Sequence, residues 1–319
     1  MSEPYDQHLT RRDAVTRLAA AGLAAGAVGG GALFFHDRRR AEASAPTIPD
    51  WRVPAAPHYP PAAVAFGPDP AANVRRAVAA LGGMERFVRP GESVLIKPNV
   101  GWDRIPEQAA NTDPEVVAEL VRLCRAAGAR RVVVTDISCN DPRRCFARSG
   151  ISDAASAAGA EVIESHRLTL VPAALTGLAA GLEVIEELFK ADRVINVPVV
   201  KHHSLSRVTL GMKNWYGVLG AGRNRLHQSI DRSIAELGAA FRPTLTVIDA
   251  TRVLLRSGPQ GGSLNDVKAV NAVAAGTDPV LCDAWGAAQL GHSPADLPFL
   301  ELAEQRGLGH ADLKAVRQV

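Results

Sequence analysis

Apolar residues in this chain fall into short continuous runs, each separated from the next by a stretch with helical spacing. "ESVLIKPN" predicts a strand ending at Lys97. "NTDPEVVAELVRLCRAAGA" predicts a helix with Asp113 as N-cap, Pro114 in its first turn and Gly128 at its end. "RRVVVTDIS" gives a strand ending at Asp136, and "ISDAASAAGAEVIES" a short helix and strand. "LEVIEELFKADRVINVPVVKHH" gives a helix and a strand that turns polar at Lys201. The next unit, "HQSIDRSIAELGAAFRPTLTVIDATR", ends its strand at Asp249; "VKAVNAVAAGTDPVLCDAWGAAQLG" adds a strand and a helix running from Asp278 and Pro279 to Gly291.

Unbroken Val/Ile/Leu runs, as opposed to alternating ones, belong to strands buried on both faces. The pattern predicts an α/β fold: a mostly parallel sheet with helices on both faces, with room for two sub-lobes and a cleft at the carboxyl edge of the strands. Lys97, Asp136, Lys201 and Asp249 each end a predicted strand, so the expected site gathers them at one rim.

The first 45 residues have a different character. Arg11-Arg12 precede an uncharged run from Leu18 to Phe35, followed by Arg38-Arg39-Arg40 and then Ala43-Ser44-Ala45. This predicts a twin-arginine export signal over residues 1–45, read by the twin-arginine translocase and cleaved, with the protein ending in the periplasm or outside the cell. The weak hydrophobicity of the run and the basic triplet after it argue against the general secretory route. The rival reading is an uncleaved anchor; the many Gly and Ala residues make a poor lipid-facing helix, so no stable membrane span is expected after cleavage. "PTIPDWRVPAAPHYPP", residues 46–61, reads as a Pro-rich linker, and residues 62–319 as a single α/β domain.

Composition narrows the partners. The chain has 319 residues, is 47% hydrophobic and carries a net charge of +3. Beyond residue 45 the balance is 30 Lys+Arg against 28 Asp+Glu, or +2. Such a balance offers no basic stripe for nucleic acid. Only six of the 36 basic residues are lysines, and three of them, Lys97, Lys201 and Lys213, follow apolar runs. A compact ammonium whose pKa shifts on burial is chemically distinct from a guanidinium.

The candidate chemistry clusters between residues 196 and 227. Alternation along an extended segment puts Lys201 and His203 on one face and His202 on the other. "GMKNWYGVLGAGR" combines Lys213, Asn214, Gly217 and Arg223, a pairing of glycine and positive charge suited to a small anionic ligand. It is neither a Walker loop nor a dinucleotide fingerprint. Lys201, His203, Asp136 and Asp249 are the candidate acid–base groups, and Lys97, Asn99, Lys213, Asn214, Gly217 and Arg223 the candidate ligand-binding groups. His203 with His227, Asp136 or Asp249 has acceptable metal-ligand types but no tight spacing. Cys139 and Cys145 share one polar loop and could form a disulfide, stay as thiols, or ligate a metal ion or iron–sulfur cluster. Cys124 and Cys282 read as buried small hydrophobes. "SGPQGGSL", residues 257–264, reads as a turn.

Taken together, "VLIKPN", "VTDISCNDPRRCFARSGI", "VINVPVVKHHSLSRVTLGMKNWYGVLG", "LTVIDATRVLLRSGPQGG" and "GTDPVLCDAWGA" resemble the family catalogued as domain of unknown function 362, in its short members with twin-arginine signals. The resemblance covers residues 62–319 and includes the family pattern at Lys97, Pro98, Asn99, Lys201, His203, Lys213, Asn214 and Gly217. It implies an α/β core. Related members are described as iron–sulfur centre proteins, some with an appended ferredoxin-like module, and this chain lacks that module. With the residue reading, the expectation is an exported, cofactor- or metal-dependent enzyme of redox or transfer type acting on an anionic small molecule. The alternatives are a non-catalytic binding protein for an anionic metabolite or metal, and an iron–sulfur-centre protein or assembly factor.

Overall fold

A computed structural model describes residues 45–54 and 56–319, so the expected export signal, Ala45 apart, lies outside the described residues. The elements in order are β1 (Ala62–Phe66), α1 (Pro70–Ala80), β2 (Ser93–Pro98), α2 (Pro114–Ala126), β3 (Arg131–Thr135), α3 (Pro142–Arg148), α4 (Ile151–Ala157) and β4 (Glu161–Ile163). A small hairpin of β5 (Leu170–Pro172) and β6 (Glu183–Ile185) follows, then α5 (Glu187–Lys190), β7 (Arg193–Val197), β8 (Val199–His203), β9 (Arg207–Thr209) and α6 (Gly211–Asn214). The chain continues through α7 (Ile230–Ala240), β10 (Leu245–Leu254), β11 (Val267–Gly276), α8 (Pro279–Ala288), α9 (Pro298–Gln305) and β12 (Val316–Gln318).

The main sheet runs β12-β1-β11-β10-β7-β2-β3-β4, with β8 and β9 attached to the flank of β10. From β10 to β4 every pairing is parallel. The sheet is therefore mostly parallel but mixed: β11 runs antiparallel between β10 and β1. Hydrophobic runs do not encode strand direction, and here the chain turns straight back after β10 without a crossover helix.

Burial explains the unbroken apolar runs. Leu95, Val133, Val194 and Ile248 enter one core with Ile234 of α7 and Leu281 of α8. Their neighbours Val94, Val132, Ile195 and Val247 enter a second core with Val74 of α1 and Val117 of α2. Successive residues of each strand thus point into opposite cores, and both faces are covered. The helix starts follow their caps: Asp113 accepts from Glu115 N at 2.9 Å and Asp278 from Leu281 N at 2.8 Å.

The compact unit runs from Thr47 to Val319, starting ahead of Ala62. Much of the Pro-rich segment is irregular, but it is not a free tether. Trp51 is 2% exposed, its indole N–H donates to Ala191 O at 3.1 Å, and Thr244 Oγ1 donates to its carbonyl. A recess of about 730 Å³ lies beside it, lined by prolines of this segment together with Tyr59, Arg86 and the ion-paired Asp50 and Arg52.

One proline positions the site. The sequence reads as a single strand through "VINVPVVKHH", but Pro198 has no N–H to give a sheet ladder and divides it. β7 pairs with β2 and the start of β10; beyond Pro198, β8 pairs with the later part of β10 and turns into a hairpin with β9. The polar half of the run is carried out of line with β7 into this hairpin.

Candidate functional site

The carboxyl ends of β2, β3 and β8, with α6 and the glycine-rich segment after it, enclose a cleft of about 490 Å³. Asp136, Asn99, Lys201, His203, Lys213, Asn214, Gly217, Arg223, His227 and Cys139 all line it. Lys97, Asp249 and Cys145 do not.

The floor is an ion pair. Lys97 is fully buried beneath the cleft, and its Nζ lies 2.5 Å from Asp136 Oδ1. Burial depresses the Lys97 pKa, opposed by the Asp136 charge. The second Asp136 oxygen accepts Val100 N at 2.7 Å, so its carboxylate is held on both sides. Gly217 packs its backbone on this pair: a Cβ there would lie 1.9 Å from Asp136 Oδ1 and 2.7 Å from Lys97 Nζ. Its carbonyl accepts Ile137 N at 2.8 Å. The glycine is required by close approach.

Above the floor runs a chain of amides. Asn196 accepts from Asn214 Nδ2 at 2.8 Å, Asn214 accepts from Asn99 Nδ2 at 3.0 Å, and Asn99 Oδ1 accepts from Lys201 Nζ at 3.0 Å. Lys201, 1% exposed, also donates to Ala110 O at 2.5 Å. Burial pulls its pKa down to about 7, against the attraction of Cys139 and Asp136. Two acceptors match the two hydrogens of a neutral amine, and the third position of the nitrogen is then a lone pair.

Lys213 is 7% exposed and brought down to about 8 by burial. Its Nζ sits 4.3 Å from the Tyr216 ring centroid, and among the described residues it has no ion-pair partner. The short helix carrying it is held from outside the cleft: Asp283, on α8, accepts Gly211 N at 2.6 Å and Met212 N at 3.0 Å. Burial raises the Asp283 carboxyl to about 7. Arg223 donates to Tyr216 O at 3.0 Å and to Ile137 O at 3.3 Å, joining the glycine-rich segment to the loop after β3.

The two histidines have complementary roles. His203 Nδ1 accepts from Leu205 N at 3.1 Å and Ser206 N at 3.3 Å, so its proton resides on Nε2. Burial and the neighbouring Lys213 and Lys201 push its pKa down to about 2. His227 Nδ1 faces Asn224 O at 3.2 Å, so it donates there and leaves Nε2 as an acceptor. Burial and Lys213 lower its pKa as well. The rings stack with centroids 6.2 Å apart, and His227 meets the edge of Tyr216 at 5.0 Å.

Several expectations need correction. Asp249 does not end its strand; β10 continues to Leu254, and Asp249 turns inward to accept Asp113 N at 2.7 Å and Thr251 N at 2.9 Å. Burial, with Asp113 beside it, raises its pKa to about 7. It braces the start of α2. Cys139 and Cys145 are not bonded to each other: Cys139 is exposed in the cleft and Cys145 is buried in α3, its thiol pushed up to about 11 by burial. Among the described residues no three His, Cys, Asp or Glu side chains gather as metal ligands. A metal on His203 Nε2 would force the proton onto Nδ1, against two N–H donors. The donor set does not fit a metal ion or an iron–sulfur cluster on Cys139, Cys145, His203 and His227.

Sequence reasoning overlooked Asn196, Thr209 and Asp283. Asn196 and Asp283 had a visible signal: each is a lone polar residue inside an apolar run, "VINV" and "VLCDAW". A buried polar residue needs partners, and these two supply the cleft with its scaffold.

The profile of a domain of unknown function, DUF362, matches residues 94–288. The chain belongs to this family. A thylakoid-associated protein of Synechocystis sp. is 28% identical over 245 residues, covering 74% of this chain and 75% of that relative. Among solved structures, the lactate racemase apoprotein of Thermoanaerobacterium thermosaccharolyticum superposes with a TM-score of 0.39 at 15% identity, over 77% of this chain and 61% of the other. A Thermotoga maritima protein gives 0.37 at 12% identity, over 75% and 60%. This DUF362 chain thus spans less than two thirds of the solved structures it matches.

Proposed function

We propose that the cleft binds a small anionic molecule and moves a proton on it. The observation that carries this reading is the buried, unpaired ammonium of Lys213, facing a cleft that also holds Lys201 and Arg223. Desolvated positive charge without a carboxylate is costly, and an anionic ligand is the group that would relieve it. Asp136 does not serve, because Lys97 and Val100 N already take both its oxygens.

Proton transfer is supported by Lys201 and the histidines. An amine with a pKa of about 7, both hydrogens engaged, is suited to act as a base at neutral pH. His227 Nε2 offers a second acceptor and His203 Nε2–H a donor. The expected metal or cluster chemistry finds no ligand set among the described residues. Export by the twin-arginine route, from the pattern of residues 1–45, remains part of the proposal; among the described residues no helix is long and apolar enough to cross a membrane.

Thermal melting with carboxylates and phosphate, on the wild type and Lys213→Met, tests the reading. Anions should raise the melting temperature of the wild type by several degrees and leave the variant unmoved. Equal shifts in both proteins would remove Lys213, and with it this reading, from consideration.

A further inference from the structure

We propose that the cleft is built for a phosphoryl dianion and that Thr209 is a specificity-determining residue for it. This rests on the anion-binding reading above and adds the class of anion.

Charge comes first. Lys97 and Asp136 cancel each other beneath the floor, which leaves Lys213 and Arg223 as the cations lining the cleft, with the neutral amine of Lys201 beside them. A monocarboxylate would leave one of those two charges uncompensated, whereas a phosphoryl group near pH 8 carries close to two negative charges.

The donors come next. Lys213 rises from α6, His203 from β8 and Thr209 from β9, three separate elements around one space. A carboxylate presents two oxygens in one plane, suited to a single fork; a phosphoryl group presents three, spread tetrahedrally.

Thr209 is the second, independent observation. It is 5% exposed, lines the cleft, and its Oγ1 has no hydrogen-bond partner. Lys201 and Thr209 are directly paired across β8 and β9, so both side chains project from the same face of the hairpin, as does His203 two residues on. Buried hydroxyls are almost always satisfied. An orphan one beside an amine, in a cleft rich in donors, is explained by an acceptor oxygen that a ligand brings.

Isothermal titration of the full chain at pH 8 with inorganic phosphate, methyl phosphate, acetate and malonate tests this, on the wild type, Thr209→Val and Lys213→Met. Phosphate or methyl phosphate should bind at least tenfold more tightly than acetate or malonate. Thr209→Val should lose about tenfold for the phosphoryl ligands and little for acetate, with an unchanged or higher denaturation midpoint, since it removes an unsatisfied hydroxyl of the same shape. Which phosphoryl probe binds more tightly separates an ester from free phosphate as the natural head group. Acetate or malonate binding as tightly as phosphate, or an undiminished phosphate preference in Thr209→Val, overturns the proposal while Lys213-dependent anion binding stands. No anion binding at all removes both.

Discussion

Lys97 and Asp136, 39 residues apart in sequence, meet at 2.5 Å with both side chains closed off from solvent. The pair is possible because residue 217 has no side chain. Gly217→Ala would drive a Cβ into the carboxylate at 1.9 Å and separate the charges. Breaking a buried pair leaves uncompensated charge and costs about 3–5 kcal/mol. Urea denaturation of Gly217→Ala should report a loss of that order, and Lys97→Met alone a similar one. The double variant Lys97→Met/Asp136→Leu should recover much of it; an additive double loss would contradict the pairing.

The lysines give stability a pH dependence of defined sign. Lys201 and Lys213 titrate near 7 and 8 when folded, well below the 10.5 of an exposed lysine. Between those values the unfolded chain holds more protons, so stability should rise with pH from about 7 to about 10. Each lysine contributes at most about 1.4 kcal/mol per pH unit. Denaturation midpoints across this range should climb for the wild type and flatten in Lys201→Met/Lys213→Met.

Asp283 lies outside the cleft yet should control its affinity. Its two oxygens hold the amides of Gly211 and Met212, fixing the short helix that presents Lys213 and Asn214. Asparagine would turn an N–H₂ toward one of those donors and cost about 1–3 kcal/mol. Asp283→Asn should weaken phosphate binding severalfold by titration, with the protein still folded by circular dichroism. An affinity equal to the wild type would separate the helix from the site.

Thiol accounting checks the cysteines. Cys139 is exposed and Cys124, Cys145 and Cys282 are buried. Maleimide labelling followed by intact mass should add one group to the native protein and four after denaturation without reductant. Two groups after denaturation would mean a disulfide. Phosphate at saturating concentration should slow labelling of Cys139, which lines the same cleft.

Much of the site was legible because a buried parallel strand must turn polar where it leaves the sheet. Lys97 and Asp136 obey that rule, and Lys201 meets them from the middle of β8, in the hairpin beyond Pro198. Asp249 looks identical in sequence and fails, because β10 runs on to Leu254 beside β8 and the carboxylate is consumed by Asp113 N and Thr251. The direction of β11 was hidden because an apolar run reads the same both ways. The histidines were legible as polar residues but not as ligands or acids; backbone amides that only the folded turn provides decide which nitrogen carries the proton. Thr209 gave no signal, since a threonine in a short strand is ordinary until its partner is found missing.

Pro198 makes chain length part of the chemistry. Because side chains alternate along β8, adding or removing one residue at this joint would exchange the two faces of the hairpin. Lys201 and His203 would swing outward and His202 would take their place, with every amino acid of the site still present in the sequence. Parity at one imino acid, as much as the identity of any side chain, determines whether Lys201 and His203 reach this cleft at all.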